Sequence, residues 1–194
     1  MLNKKVAVID CESKTTPLIH KMLRETHCRP QGISWHSANE TDLNAFRAVV
    51  ISGGPHLFGG GPGKKDQLME KFQFIEELNV PTLGICLGHQ AIGLILDAKV
   101  YRGMARRSTD TLTIINEYPL FVDMPDEHPE FSEDHCEGIE LSSQMTLLAS
   151  SQHYQVEAIM AVKRPFIGVQ FHPETSGENG QLLFNNFIKW ADKH

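Results

Sequence analysis

Pro81-Thr82-Leu83-Gly84-Ile85-Cys86-Leu87-Gly88-His89-Gln90 decides the fold. Its first half is a short apolar run of strand type, and Gln90 to Leu96, rich in Ala, Ile and Leu, reads as a helix. Between them, Gly84-Ile85-Cys86-Leu87-Gly88 has the glycine–x–nucleophile–x–glycine form of a strand-to-helix elbow, with sulfur at its apex. Backbone at so sharp a turn is strained, and flanking glycines remove the clashes a Cβ would bring. The turn aims the thiol at the first N–H groups of the helix, whose partial positive charge favours thiolate. The Leu87 amide is then placed to donate to a developing oxyanion. A free cysteine is often just a small buried hydrophobe, so the motif needs partners before it means catalysis.

The elements on either side repeat the strand–helix alternation. Val6–Asp10 reads as a buried strand, Thr15–Arg24 as a helix, Gly32–Trp35 as a weaker strand and Ala48–Ile51 as a clear one. Leu57 to Lys65 holds four glycines and reads as a mobile loop, followed by a helix over Gln67–Leu78. Beyond Val100 the character changes. Strands are expected at Thr111–Ile115, Thr146–Ala149, Val156–Val162 and Phe166–Phe171, with an irregular acidic stretch at Glu117–Glu137 and a final helix over Gly180–Lys193. This pattern predicts an α/β fold, a mostly parallel central sheet flanked by helices, with residues 1–194 as one domain.

Bulk properties narrow the function classes. The 194 residues are 41% hydrophobic and 22% charged, an ordinary globular composition. A net charge of −6 supplies no global field for nucleic acid or an anionic membrane. The apolar run Val6–Ile9 is too short for a signal-peptide core or a membrane span. Cys11, Cys28, Cys86 and Cys136 are widely spaced, without a C-x-x-C pair, and read as reduced thiols of a cytoplasmic protein. His128, His135 and Cys136 do not have zinc-ligand spacing, so no metal site is expected. The glycine cluster is not a phosphate loop: Phe58 stands where its first glycine should be, and Lys65 where Ser or Thr should hold magnesium.

A cysteine nucleophile needs a base and a group to orient that base. Gly168-Val169-Gln170-Phe171-His172-Pro173-Glu174 offers both at the end of an expected strand, where sites of parallel sheets assemble. Pro173 stops the strand, and a spacing of two lets Glu174 hold one imidazole nitrogen while the other faces Cys86. By itself a histidine at a strand end is as often a surface residue.

Together, the elbow, Phe171-His172-Pro173-Glu174 and Ser52-Gly53-Gly54-Pro55 closely resemble the three signatures of the class I glutamine amidotransferases. The resemblance runs from the first strand to the last helix and implies a flavodoxin-like amidotransferase fold. It implies Cys86, His172 and Glu174 as the catalytic triad, with the Gly54 and Leu87 amides as the oxyanion hole. Gly53, Gln90 and His135 would bind L-glutamine, which the family cleaves through a γ-glutamyl thioester to glutamate and ammonia. Leu87 and His89 side chains would shape the elbow. Gln155-Val156-Glu157-Ala158-Ile159 and Asp134-His135-Cys136-Glu137-Gly138-Ile139 look most like the glutaminase part of GMP synthetase, which aminates XMP in purine biosynthesis. That likeness implies a partner synthetase of the ATP-pyrophosphatase type, carrying ATP and Mg, and no cofactor on this chain.

The sequence also departs from that pattern. Asp10-Cys11-Glu12-Ser13-Lys14 has neither the Gly-Gln usual in GMP synthetases nor the Asn-Tyr-Asp-Ser-Phe-like run of anthranilate-type subunits. Anthranilate- or aminodeoxychorismate-type subunits, a free-standing γ-glutamyl cysteine hydrolase and a non-catalytic regulatory relative are the alternatives. Arg102, Arg106 and Arg107 form a small basic patch, either a solvated face or a place to dock a partner.

Overall fold

The computed structural model describes residues 5–194. Strand β1 (Lys5–Asp10) leads through α1 (Thr16–Glu25), β2 (Arg29–Ser34) and β3 (Ala48–Ile51) to two short helices, α2 (Lys64–Lys71) and α3 (Phe74–Glu77). Strand β4 (Thr82–Ile85) then runs into α4 (Leu87–Ile95). The second half contains β5 (Val100–Arg106), β6 (Thr109–Ile114), β7 (Glu130–Ser132), β8 (His135–Ile139), β9 (Met145–Ser151), β10 (Ala158–Ala161) and β11 (Phe166–Val169). Helix α5 (Gly177–Ala191) closes the chain.

Nine strands form one sheet in the order β2-β1-β3-β4-β11-β10-β9-β6-β7, and β5 pairs with β8 separately. From β2 to β11 every pairing is parallel; β10, β9, β6 and β7 extend the sheet antiparallel. The expected α/β architecture is therefore present, with helices packed on a sheet whose first five strands are parallel. Strands β3 and β4 are buried along their whole length, as the apolar runs Ala48-Val49-Val50-Ile51 and Thr82-Leu83-Gly84-Ile85 require of strands covered on both faces. Alternation along β1 divides the core. Val6 and Val8 pack with Ile19, Leu23, Leu183 and Phe187 of α1 and α5, while Ala7 and Ile9 pack with Leu68, Ile75 and Ile92 opposite. Strand order reverses between β1 and β3, which opens a crevice at their carboxyl ends.

Three local differences from the sequence reading have physical causes. The helix expected over Gln67–Leu78 is broken at Phe72 and Gln73. Phe72 is fully buried against Trp35 and Phe58, and the Asn39 side chain accepts the Phe74 amide at 2.9 Å, which caps a new helix. The glycine loop is anchored at its start, since the Glu137 carboxylate accepts the Phe58 and Gly59 amides at 2.8 Å each. Strands β5, β7 and β8, unassigned from sequence, are short or polar and exist through pairings with distant chain segments.

Candidate active site

Cys86 stands between β4 and α4 with φ 49° and ψ −101°, a conformation costly for any residue with a Cβ. Its amide donates to the Val169 carbonyl at 2.8 Å, which ties the elbow to the end of β11. The flanking glycines are needed for close approach. A Cβ on Gly84 would lie 2.6 Å from the Gly88 backbone, and one on Gly88 would lie 2.6 Å from the Ile51 carbonyl oxygen. As the first residue of α4, Leu87 has an amide with no acceptor inside the helix.

Ser52-Gly53-Gly54-Pro55 leaves β3 beside the elbow. Gly53 sits against both the His172 ring and Cys86: a Cβ there would lie 2.9 Å from His172 Cε1 and 3.4 Å from Cys86 Cβ. Gly54 packs on the Cys11 carbonyl and the Leu87 side chain, leaving no room for a methyl group. The loop's path is held from below, where the Ser52 hydroxyl accepts the Cys11 amide at 2.9 Å.

His172 follows the end of β11. Its amide donates to the Ser132 carbonyl at 2.8 Å in an isolated bridge to β7, and Pro173 then starts a single 3₁₀ turn. That turn brings Glu174 back under the ring, with Nδ1 of His172 2.8 Å from Glu174 Oε1. Glu174 is buried, and its Oε1 also accepts the Thr15 hydroxyl at 2.7 Å. Nε2, on the ring's other side, is buried without a hydrogen-bond partner among the described residues, and Cys86 is close enough to act on the ring electrostatically. Burial disfavours a charged ring, but Cys86 and Glu174 outweigh it and raise the His172 pKa to about 11. Cys86, His172 and Glu174, drawn from two widely separated parts of the chain, are thus neighbours beside Gly53.

The remaining expected site residues divide. Gln90 is buried beside the elbow, with Nε2 donating to the Glu137 carbonyl at 3.0 Å and to Gln170 Oε1 at 3.1 Å. His135 is buried at the start of β8. Its side chain is only 2% exposed, and Nδ1 lies 2.9 Å from the Glu137 carbonyl, so the ring sits inside the wall. His89 is fully buried, and that burial lowers its pKa to about 3, so a neutral ring fills the space behind the elbow. Burial pushes the Cys11 thiol well above its ordinary value, the opposite of what a nucleophile needs. Arg106 pairs with Asp110, and Arg107 lies 3.6 Å from Asp134, so two of the three basic-patch residues have acidic partners.

A cleft of about 380 Å³ opens beside His172, lined also by Glu12, Lys14, Gly54, Pro55 and Asp134; Cys86 and Glu174 do not line it. Thr15 and Glu133 were not identified from sequence. Both owe their place to pairings far away along the chain, and neither sits in a recognisable motif.

The family description "Glutamine amidotransferase class-I" matches residues 7–190. The glutamine-hydrolysing GMP synthase subunit of Pyrococcus abyssi is 35% identical over 158 residues, covering 78% of this chain and 81% of that protein. The corresponding Sulfolobus acidocaldarius protein, also a glutamine-hydrolysing GMP synthase subunit, is 32% identical over 191 residues, covering 97% of this chain and 100% of its own. A crystal structure from Thermoplasma acidophilum, assigned as a subunit of GMP synthase, superposes with a TM-score of 0.86 at 26% identity, covering 100% of this chain and 96% of that one. A match that takes in the elbow, the Gly53-Gly54 loop and the His172–Glu174 pair places this chain in the class I glutamine amidotransferase family.

Proposed function

We propose that this chain is the glutaminase subunit of a GMP synthetase, hydrolysing L-glutamine and passing ammonia to a partner that aminates XMP. The observation that carries the chemistry is the His172 ring, bonded to Glu174 through Nδ1, close to Cys86 and lining the cleft. The choice of synthetase is supported by the GMP synthase relatives, which match most or nearly all of the chain.

With the Cys86 proton on His172, sulfur attacks the side-chain carbonyl carbon of glutamine and a C–S bond forms. The carbonyl oxygen becomes an oxyanion, received by the Leu87 and Gly54 amides. His172 returns its proton to the amide nitrogen, the C–N bond breaks, and ammonia leaves behind a γ-glutamyl thioester. Water then attacks the thioester as His172 takes its proton, releasing glutamate and restoring Cys86. Glu174 keeps Nδ1 protonated and the ring in register throughout. Both Nε2 hydrogens of Gln90 are already committed, which leaves its Oε1 to receive the substrate. ATP and Mg belong to the partner, of the ATP-pyrophosphatase type. Four free cysteines fit a reducing compartment such as the cytoplasm. No helix among the described residues is long and apolar enough to cross a membrane.

A glutamine-analogue diazoketone tests the chemistry. One adduct on Cys86, absent from Cys86→Ala and retained by Cys11→Ser, is expected; modification of Cys11 or Cys136 instead would refute the assignment. Mixing the chain with the synthetase, ATP and XMP tests the partner. Glutamine-dependent GMP formation should appear with the wild type and vanish with Cys86→Ala, while ammonia-dependent formation persists.

A further inference from the structure

Behind the His172 wall, Glu133, His135 and Glu157 converge from two stretches of chain, 133–135 and the residue before β10. One ligand-type atom from each lies within 4.8 Å of the others, and all three residues are buried. Glu133 comes from the end of β7 and His135 from the start of β8. Glu157 immediately precedes β10.

Their polar atoms are not spent on one another. Neither Glu133 oxygen has a hydrogen-bond partner among the described residues, nor do Glu157 Oε2 and His135 Nε2. His135 Nε2 lies 2.9 Å from Glu133 Oε2 but without hydrogen-bond alignment. Two donor atoms that close and misaligned are spaced as neighbouring ligands of one small cation would be. The opposite ring nitrogen, Nδ1, faces the Glu137 carbonyl at 2.9 Å. A carbonyl can only accept, so Nδ1 carries the proton and Nε2 presents its lone pair to the cluster. This is the tautomer that a metal-binding imidazole adopts when a backbone carbonyl orients it.

The local charge points the same way. Arg106 is paired with Asp110 and acts on Glu133 and Glu157 only at longer range; among the described residues no Lys or Arg forms an ion pair with either glutamate. The Ser151 hydroxyl satisfies only Glu157 Oε1, at 2.6 Å. Two carboxyl groups in so dry a place need either protons or a cation.

We propose that Glu133, His135 and Glu157 bind one divalent transition-metal cation, of which zinc is the best match, separately from the Cys86–His172–Glu174 triad. One nitrogen and two carboxylate oxygens suit zinc. The bound cation ties β7, β8 and the segment before β10 together. Because the Ser132 carbonyl next to Glu133 holds the His172 amide, that tie also steadies the catalytic ring from behind.

The test uses the full chain, stripped with chelator, dialysed and titrated with zinc chloride by calorimetry, with metal content read by mass spectrometry. One zinc per chain and a raised melting temperature are expected. Glu157→Gln should weaken binding by more than the roughly 10–100-fold typical of losing a supporting group. Cys86→Ser should bind as the wild type does. The cobalt form should show visible d–d bands without a thiolate charge-transfer band. No stoichiometric zinc on the wild type would overturn the proposal. So would zinc lost in Cys86→Ser but kept in Glu157→Gln, which would place it on the triad. If Glu157→Gln does not fold, Glu133→Gln makes the same comparison, and the wild-type cobalt spectrum needs no variant.

Discussion

The Thr15 hydroxyl donates to Glu174 Oε1 at 2.7 Å, the same oxygen that lies 2.8 Å from Nδ1 of His172. Residues 159 positions apart are therefore joined at one carboxylate oxygen, and the residue before α1 supports the carboxylate that holds the His172 ring. Thr15 follows directly on Asp10–Lys14, the segment that departs from the GMP synthetase pattern. A hydrogen bond to a charged group contributes about 1.5–3 kcal/mol. Thr15→Val should lower kcat for glutamine hydrolysis about tenfold, with little change in KM, and Thr15→Ser should restore it. A variant that loses melting temperature while keeping kcat would mean Thr15 only packs.

Glu137 joins the elbow region to the glycine loop. Its carboxylate takes the Phe58 and Gly59 amides, while its carbonyl takes Gln90 and His135. Replacement by Gln keeps the size but removes the charge and one of the two acceptors. Hydrogen exchange at the Phe58 and Gly59 amides should then speed up by about tenfold or more, a loss of at least about 1.4 kcal/mol of protection, roughly that of a charged hydrogen bond. Unchanged exchange at both amides would show that the loop is held some other way.

Acid stability should report on His89. Its pKa is about 3 in the folded chain against 6.5 ordinarily, because burial disfavours the charged ring. The unfolded chain thus binds the extra proton between those values. Stability linked to this residue is complete above about 6.5 and falls as pH drops toward 3, by up to about 1.4 kcal/mol per pH unit. His89→Gln should show a smaller stability difference between about pH 7 and about pH 5 in denaturant melts. Equal differences in the two proteins would contradict the assignment.

Gly88 leaves no space for a side chain, since an added Cβ would sit 2.6 Å from the Ile51 carbonyl oxygen and 2.9 Å from Ile51 Cβ. Gly88→Ala must push β3 and α4 apart, at a cost of about 1–3 kcal/mol. Urea midpoints should fall accordingly, and diazoketone labelling of Cys86 should slow, because the elbow moves with the helix. A variant as stable and as reactive as the wild type would rule out this close approach.

Residues on both sides of the site were legible in the chain for a local reason. Apolar runs bounded by glycine or proline state their own strands, as at Ala48–Ile51 and Thr82–Ile85, and the Gly84–Gly88 motif states its own turn. His172 and Glu174 were legible for the same reason, because Pro173 fixes their shared turn two residues apart. The break at Phe72, the anchoring of the glycine loop and the strands β5, β7 and β8 were not. Each depends on a partner such as Asn39, Glu137 or Ser132 that no local pattern singles out.

The order of residues alone determined the strand–elbow–helix unit with Cys86 at its apex and the pairing of His172 with Glu174, because neighbours in sequence make those features. Tertiary packing alone decided that Thr15 reaches Glu174, that His135 turns into the wall, and that two glutamates meet it there. Side chains brought together by a sheet come from anywhere in the chain, and their burial then sets which atoms still need a partner.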